Sequence, residues 1–312
     1  MMTLYYSSRS VHALISKKVL PYIPCRNFVS QQDIGSHISL PSYQKDDPLR
    51  LAQEIFSRMA RRTKTWKRLG HLIDLGCNIS PPISSIADIG CDHGFLSVGL
   101  AVSGKFQLVV GTDVSPLALQ NAISFQQGFY KRFKQKEKLD LNVEFRLGYG
   151  IEVLCDAEIQ AICLAGMGVD TMKNILTGKE LDRIGCCHVL TQPTNSRPRN
   201  LCIMYDHLQE MGWRLKGERI EYLSSRWYIS SLFSRQGAPT SPSSKYEGSI
   251  ALPGDCLKNL HESDPMSNVY KNYIDHHISW LHRDLKVTAL SEEDTRWLNA
   301  VETGIIHADS NK

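Results

Sequence analysis

The chain has 312 residues, of which 42% are hydrophobic and 22% charged, and its formal net charge at pH 7 is +4. This composition is typical of a globular protein and excludes a disordered or low-complexity chain. No run of about 18 apolar residues occurs, so the sequence predicts no transmembrane helix and no membrane partner. The nine cysteines form no Cys-x-x-Cys pair, and we therefore expect no metal site.

The first 32 residues differ in composition from the rest of the chain. They contain no acidic residue and four basic ones, Arg9, Lys17, Lys18 and Arg26. A basic, Ser-rich segment without acids is typical of mitochondrial and plastid transit peptides. We expect residues 1–32 to be a transit peptide and the mature protein to lie in the mitochondrial matrix, with a plastid or the cytoplasm as alternatives.

Composition and periodicity also predict the domain limits. We expect a linker at 33–46, a main domain with N-terminal helices at 47–236, a linker and helical appendage at 237–303, and a frayed tail at 304–312. Apolar residues at helical spacing predict the leading helices at 48–59 and 65–77 and a C-terminal helix at 268–290. The intervening segment at 236–249 is rich in Pro, Ser and Gly, which indicates a loop.

Within the main domain, short apolar runs alternate with segments of helical spacing. The runs predict strands at 85–90, 107–113, 142–147, 159–165 and 188–192, separated by helices at 95–103, 116–130, 170–176 and 197–211. Such alternation predicts a parallel sheet with helices on both faces. Two further strands, 213–223 and 226–235, are joined by two serines and predict an antiparallel hairpin. The predicted fold class is α/β, with a mostly parallel seven-stranded sheet that ends in this hairpin.

A glycine-containing loop follows the first predicted strand and opens a helix. In open α/β sheets, nucleotide ligands lie beyond the carboxyl ends of the strands, where glycine lets the backbone approach the ligand. We expect the loop to bind a cofactor through Asp88, Gly90, Cys91, Asp92, His93 and Gly94. The dinucleotide pattern Gly-x-Gly-x-x-Gly is absent from this loop, which disfavours NAD or FAD.

The next strands end in further candidate cofactor residues. Asp113 ends the second strand, where a carboxylate accepts hydrogen bonds from both hydroxyls of a ribose. The alternative is that Asp113 caps the helix beginning near Pro116. We expect the neighbouring Val114 to bind the cofactor as well. After the third strand, Gly148 and Tyr149 are candidates, with Tyr149 either stacking on an adenine or lining the rim.

The fourth strand ends in a Gly-Met-Gly loop that offers backbone groups and little bulk. We expect Ala165, Gly166 and Met167 to border the cofactor and Gly168 to border the substrate. The alternative is an ordinary tight turn between a strand and a helix.

Taken together, these segments resemble the TrmK family, the bacterial tRNA (adenine-N1)-methyltransferases that act on adenine 22. The similarity runs from about residue 60 to 235, and its pieces are Arg68-Leu69, 87–94, 165–168, Gln192-Pro193, 199–201 and 227–229. The resemblance implies a Rossmann-like methyltransferase fold, S-adenosyl-L-methionine (SAM) as cofactor and tRNA as partner, in an organelle-targeted homologue. The chain departs from the family pattern at Tyr149, Val169 and Thr194, where the family has Asp, Gly and Asn. The oligomeric state stays open.

Methylation at N1 of adenine requires no general base, because N1 carries a lone pair and no proton. Catalysis then depends on positioning and electrostatics. Asp92 is the candidate catalytic residue, since its carboxylate would stabilise the cation that forms on the base. Its alternative roles are to cap the following helix or to hold the amino-acid end of the cofactor.

Candidate substrate contacts follow the fifth strand and lie on the leading helices. We expect contacts from Gln192, Pro193, Asn195 and Arg199, although Gln192 equally suits the end of its own strand. Basic residues of the leading helices are expected to bind phosphate groups: Arg61, Arg62, Lys67 and Arg68. Two alternatives stay open, an RNA-binding protein of methyltransferase fold with little catalysis and a methyltransferase for a protein or small molecule.

Overall fold

The computed structural model describes residues 63–137, 142–235, 250–284 and 289–309. Its strands are β1 (Ser85–Ile89), β2 (Leu108–Asp113), β3 (Val143–Leu147), β4 (Ala161–Ala165), β5 (His188–Gln192), β6 (Arg214–Leu223) and β7 (Arg226–Ser234). Its helices are α1 (Thr63–Cys77), α2 (Phe95–Val102), α3 (Pro116–Glu137), α4 (Val169–Ile175), α5 (Gly178–Arg183), α6 (Pro198–Glu210), α7 (Pro265–Asp284) and α8 (Glu292–Asp309).

All seven strands belong to one sheet in the order β3-β2-β1-β4-β5-β7-β6. The first five strands are parallel, while β7 is antiparallel to both β5 and β6. The β6–β7 turn places Ser224 and Ser225 at positive φ (52° and 61°), as a tight hairpin turn requires. The predicted α/β fold class, with its terminal hairpin, is confirmed.

The sheet separates two hydrophobic cores. On β1, which is buried along its whole length, Ala87 and Ile89 face one core and Ile86 faces the other. This alternation follows from the two-residue repeat of a strand, and apolar residues on both faces follow from the helices that cover them. Helix α1 covers the second core with Leu72 and Ile73. Its N-terminal turns therefore lie at the carboxyl edge of the sheet, where Arg68 contacts Gln192.

The C-terminal helices pack on the main domain rather than standing apart from it. Tyr273 and Leu281 of α7 and Trp297 of α8 are fully buried in the same core as β4 and α6. Helix α8 continues to Asp309, past residue 304, where the sequence predicts the start of the tail. A hydroxyl cap stabilises its start, where the Asp294 amide donates to Ser291 Oγ (3.2 Å), and its first turn is acidic.

A buried carboxylate fastens the segment after residue 250 to the sheet. Glu218 on β6 accepts hydrogen bonds from the Tyr205 hydroxyl (2.5 Å) and from the backbone amides of Gly254 and Cys256 (2.9 Å each). Burial raises the pKa of Glu218 to about 7. Because backbone groups of the incoming segment are bound by a side chain of the sheet, the C-terminal helices are positioned relative to the strands.

Several predictions lie outside the described residues: the transit peptide at 1–32, the linker at 33–46, the helix at 48–59 and the loop at 236–249. Helix α5 was not predicted, because only Leu181 of its six residues is buried and so short a segment shows no clear periodicity. No helix in the described part of the chain is long and apolar enough to span a membrane.

Candidate active site

The loop after β1 is shaped by backbone conformations that favour glycine. Gly90, Asp92 and Gly94 all have positive φ (74°, 48° and 70°), and the amides of Gly90 and Cys91 donate to Thr112 O on β2 (2.8 and 2.9 Å). A Cβ atom at Gly90 would lie 2.8 Å from Met167 Cε. The loop therefore lies against β2 on one side and the loop after β4 on the other.

The Asp113 carboxylate joins the loops that follow β1 and β2. Its Oδ2 accepts from the Asp92 amide (3.0 Å) and its Oδ1 from the Ser115 amide (2.8 Å). Ser115 Oγ accepts from the Ala118 amide (3.2 Å), so Ser115, not Asp113, caps α3. The structure thus brings the predicted ribose acid and the glycine loop together, and the capping alternative for Asp113 is wrong.

Asp88 lies below the loop rather than at its open side. It is 2% exposed, and Ser97 Oγ donates to its Oδ2 (2.7 Å). Burial raises the pKa of Asp88 to about 6. Cys91 is buried as well. Both side chains therefore lie beneath the loop, and Ser97 is a hydrogen-bond partner of Asp88 that the sequence did not reveal.

Asp92 and His93 lie at the open side of the loop. The Asp92 side chain is 70% exposed, and its Oδ2 lies 2.7 Å from His93 Nδ1. The His93 ring stacks parallel to Phe95 at a centroid distance of 5.7 Å, so its contacts are local. Asp92 therefore keeps an exposed carboxylate next to the Asp113 anchor.

Exposed apolar side chains gather beyond the ends of β2 and β3. Within the described residues, six large hydrophobic side chains are exposed, and four of them lie here: Val114, Leu117, Leu147 and Tyr149. The two strand ends are in register, because Asp113 pairs with Leu147 and its carbonyl accepts from the Gly148 amide (3.0 Å). Exposed apolar side chains concentrated at one edge of a sheet indicate a ligand-binding surface.

The loops after β4 and β5 are bonded to each other. The Gly166 amide donates to Gln192 O (2.9 Å), and the Thr194 amide donates to Met167 O (3.1 Å). Gly166 and Gly168 are exposed, whereas Ala165 and Met167 are partly buried. This edge therefore presents backbone and little side-chain bulk, as the sequence predicts, beside the loop after β1.

Gln192 is engaged entirely within the protein. It is fully buried; its Oε1 accepts from Arg68 Nη1 (2.7 Å), and its Nε2 donates to Arg68 O (3.0 Å) and Ser230 Oγ (2.5 Å). The prediction that Gln192 contacts a base is corrected, because none of its polar atoms is left over. Pro193 is also buried, so neither side chain reaches the open edge.

The segment after β5 is held from the C-terminal helices. Tyr273 Oη donates to Ser196 O (2.8 Å), and Asn195 Oδ1 accepts from the Arg197 amide (3.1 Å). Asn195 remains exposed. Arg199 is also exposed, with its Nε 4.0 Å from Glu293 Oε2. Both predicted substrate residues thus remain accessible.

The predicted phosphate-binding residues differ in their exposure to solvent. Arg61 and Arg62 lie outside the described residues. Lys67 is exposed on α1, as is Lys64 nearby, whereas Arg68 is partly buried under the loop after β4. The exposed basic surface of α1 therefore consists of Lys64 and Lys67.

A family model described as a methyltransferase domain matches residues 69–229, which include every strand from β1 to β5 and the loops described above. The chain belongs to the methyltransferase-domain family. The matched segment contains Asp113 and the loops that follow β1, β2, β4 and β5.

Known proteins similar to this methyltransferase-domain chain include a curated relative and two solved structures. The relative is the tRNA (adenine(22)-N(1))-methyltransferase of Bacillus subtilis, 30% identical over 102 residues that cover 30% of this chain and 40% of that protein. The match thus spans less than half of the relative's length. TrmK of M. capricolum, solved with S-adenosyl-homocysteine, has a TM-score of 0.52 at 18% identity, covering 75% of this chain and 96% of that one.

An uncharacterised protein of Listeria monocytogenes is also similar in structure. Its TM-score is 0.50 at 18% identity, and the alignment covers 77% of this chain and 97% of that one. At these identities the two solved structures show a shared fold.

The buried Asp88 carboxyl predicts a specific pH dependence of stability. An unfolded Asp loses its proton near the ordinary value of 3.8, whereas the folded chain retains it to about 6. The folded state binds the proton more tightly, so this contribution to stability is present at low pH and is lost as the pH rises from about 4 to about 6. We expect Asp88→Asn, which keeps an acceptor for Ser97, to lack this loss.

The measurement is urea unfolding of the wild-type protein and of Asp88→Asn at several values from pH 4.5 to 7. Other titrating groups cancel in the difference between the two proteins. The stability of the wild type relative to the variant falls with rising pH; parallel curves would contradict the prediction.

Proposed function

We propose that this protein transfers a methyl group from SAM to N1 of an adenine in tRNA. The observation that carries the proposal is the Asp113 carboxylate, which is fixed by the amides of Asp92 and Ser115 beside an exposed apolar surface. The similarity to the B. subtilis tRNA (adenine(22)-N(1))-methyltransferase supports the choice of substrate and atom.

The residues at the sheet edge have the chemistry that binding of SAM requires. Asp113 would accept from the ribose hydroxyls, and the exposed side chains of Val114 and Tyr149 suit the faces of a purine. The absence of a Cβ atom at Gly90, where it would lie 2.8 Å from Met167 Cε, lets the loops after β1 and β4 approach closely, and the sulfur-bearing arm would extend along these loops. When bound, SAM supplies an electrophilic methyl group on a positively charged sulfur.

The chain itself need only position the adenine and stabilise charge. N1 attacks with its lone pair, so no side chain has to remove a proton. The loop after β4 presents backbone at Gly166 and Gly168, which lets a flat base approach closely. Asp92, exposed beside the same edge, is the carboxylate that would stabilise the positive charge on the methylated base.

Contacts with RNA would come from the exposed groups around this edge. Lys64 and Lys67 on α1 are available for phosphates, and Asn195 and Arg199 lie on the opposite side of the edge, after β5. Because N1 lies on the Watson–Crick edge, the target adenine must be unpaired or flipped out before reaction. A tRNA loop or a flipped nucleotide therefore suits this site better than a continuous duplex.

The deciding experiment is incubation of the full-length protein with unmodified tRNA transcripts and SAM, followed by nucleoside mass spectrometry. We expect 1-methyladenosine, and we expect none from boiled protein. Formation of N6-methyladenosine or a methylguanosine would contradict the proposed target atom. Turnover on a metabolite extract but not on tRNA would indicate a small-molecule substrate, and RNA binding without turnover would indicate a binding protein.

A second prediction concerns the cofactor alone. Asp113→Ala removes charge-assisted hydrogen bonds worth about 1.5–3 kcal/mol and should weaken binding of S-adenosylhomocysteine by about tenfold or more. Isothermal titration calorimetry measures this affinity directly. Glu210→Ala, a substitution of an exposed acid on α6, is the matched control and should bind as the wild type does. Equal affinities for all three proteins would reject the ribose role of Asp113.

We also propose that residues 1–32 direct the protein to the mitochondrial matrix. The support is the acid-free, basic and Ser-rich composition of this segment. A fluorescent protein fused to residues 1–32 should enter mitochondria, whereas a fusion with all four basic residues changed to Gln should not. Diffuse cytoplasmic fluorescence of the unaltered fusion, or accumulation in plastids, would contradict the proposal.

A further inference from the structure

Arg68 is a positively charged side chain held at the site edge by the protein itself. It extends from α1, and its Nη1 donates to Gln192 Oε1 (2.7 Å) while its own carbonyl accepts from Gln192 Nε2 (3.0 Å). Its guanidinium carbon lies 5.5 Å from the centre of the Tyr228 ring. This two-way bond with a fully buried amide, together with the ring, fixes the guanidinium in one orientation.

The charge of Arg68 is not neutralised by a contact. Among the carboxylates of the described chain, none forms an ion pair with it. The nearby Asp88 is bonded to Ser97 instead, and burial lowers the pKa of Arg68. A partly buried cation without a partner is costly, and a bound anion would remove that cost.

The position of the guanidinium indicates which anion. A Cβ atom at Gly166 would lie 3.7 and 3.9 Å from Arg68 Nη1 and Nη2, so the cation lies beneath the loop after β4. The strand order is β3-β2-β1-β4-β5. With the purine at the end of β3 and the ribose at Asp113 on β2, the remaining arm of the cofactor must extend over β1 towards β4. That arm ends in an amino acid with a carboxylate.

We propose that Arg68 binds the α-carboxylate of the amino-acid arm of the cofactor, an inference that rests on the proposed function. The guanidinium presents donors in a planar fork that matches a carboxylate, and Nη1 is already oriented by Gln192. This role replaces the phosphate contact that the sequence predicts for Arg68.

The test compares two ligands that differ only in the carboxylate. S-adenosylhomocysteine carries it, and the decarboxylated thioether amine of the same nucleoside lacks it. We expect the wild-type protein to bind the first ligand about tenfold or more tightly than the second, as measured by calorimetry. Arg68→Met should bind S-adenosylhomocysteine about tenfold or more weakly than the wild type and should bind the decarboxylated ligand unchanged.

Arg226→Met is the matched control, because Arg226 is an exposed arginine at the β6–β7 turn; it should bind both ligands as the wild type does. Circular dichroism and thermal unfolding check that each variant folds. If Arg68→Met does not fold, the same ligand comparison in the wild-type protein and in Arg68→Lys still tests the inference. A contact between Arg68 and the carboxylate makes the wild type prefer S-adenosylhomocysteine, and the shorter lysine side chain should reduce that preference.

Three results would overturn the inference. Equal wild-type affinity for both ligands excludes a carboxylate contact. An equal loss of affinity for both ligands in Arg68→Met indicates a purely structural role for Arg68. Unchanged affinity for S-adenosylhomocysteine in Arg68→Met, with a raised KM for tRNA, assigns Arg68 to a phosphate of the RNA. If the wild type binds neither ligand, the proposed function itself fails, which is a distinct outcome.

Discussion

The hydrogen bonds of the Asp113 carboxylate are the constraint on which the geometry of the site depends. One oxygen accepts from the Asp92 amide after β1, and the other accepts from the Ser115 amide after β2. A single side chain at the end of one strand thereby sets the spacing of two loops. The positive φ values in the β1 loop let its amide reach that carboxylate. This bond adds to those of the Gly90 and Cys91 amides with Thr112 O, and together they position the β1 loop relative to the apolar surface at Val114.

The loops on the other side of the site are set from more distant parts of the chain. Gln192 binds Arg68 of α1 and Ser230 of β7, while Tyr273 of α7 holds Ser196. These contacts use fully engaged, buried polar atoms, which are costly to leave unpaired and therefore fix the geometry strongly. The site thus lies at the edge of the parallel sheet, and its loops are held by α1, which precedes the sheet, and by β7 and α7, which follow the parallel strands.

The sequence predicted the fold and the proximity of the Gly90 loop to Asp113 well, because local patterns encode the strands and their ends. Strand and helix alternation gave the parallel sheet, and the Gly90 loop and Asp113 follow directly from strand ends. The roles of Asp88 and Gln192 were not predictable, since residue type does not reveal whether a polar side chain is exposed or already bonded. Arg68 was recognised as a cation, but only the packing of α1 shows it beneath the Gly166 loop. Helix α8 was not predicted, because the burial of its Trp297 depends on tertiary contacts.

The reciprocal bond between Gln192 and Arg68 also bears on when the protein becomes competent during synthesis. Gln192 Nε2 is shared with Ser230, which lies in the last strand of the sheet. A nascent chain that has emerged only as far as β5 would contain the glycine loop and Asp113. The Gln192 side chain would still lack one of its three hydrogen bonds, the one to Ser230, and β5 would lack its neighbouring strand β7. The full set of Gln192 hydrogen bonds therefore forms only once the hairpin is complete, so this side of the sheet edge is finished last as the chain is synthesised from its N-terminus.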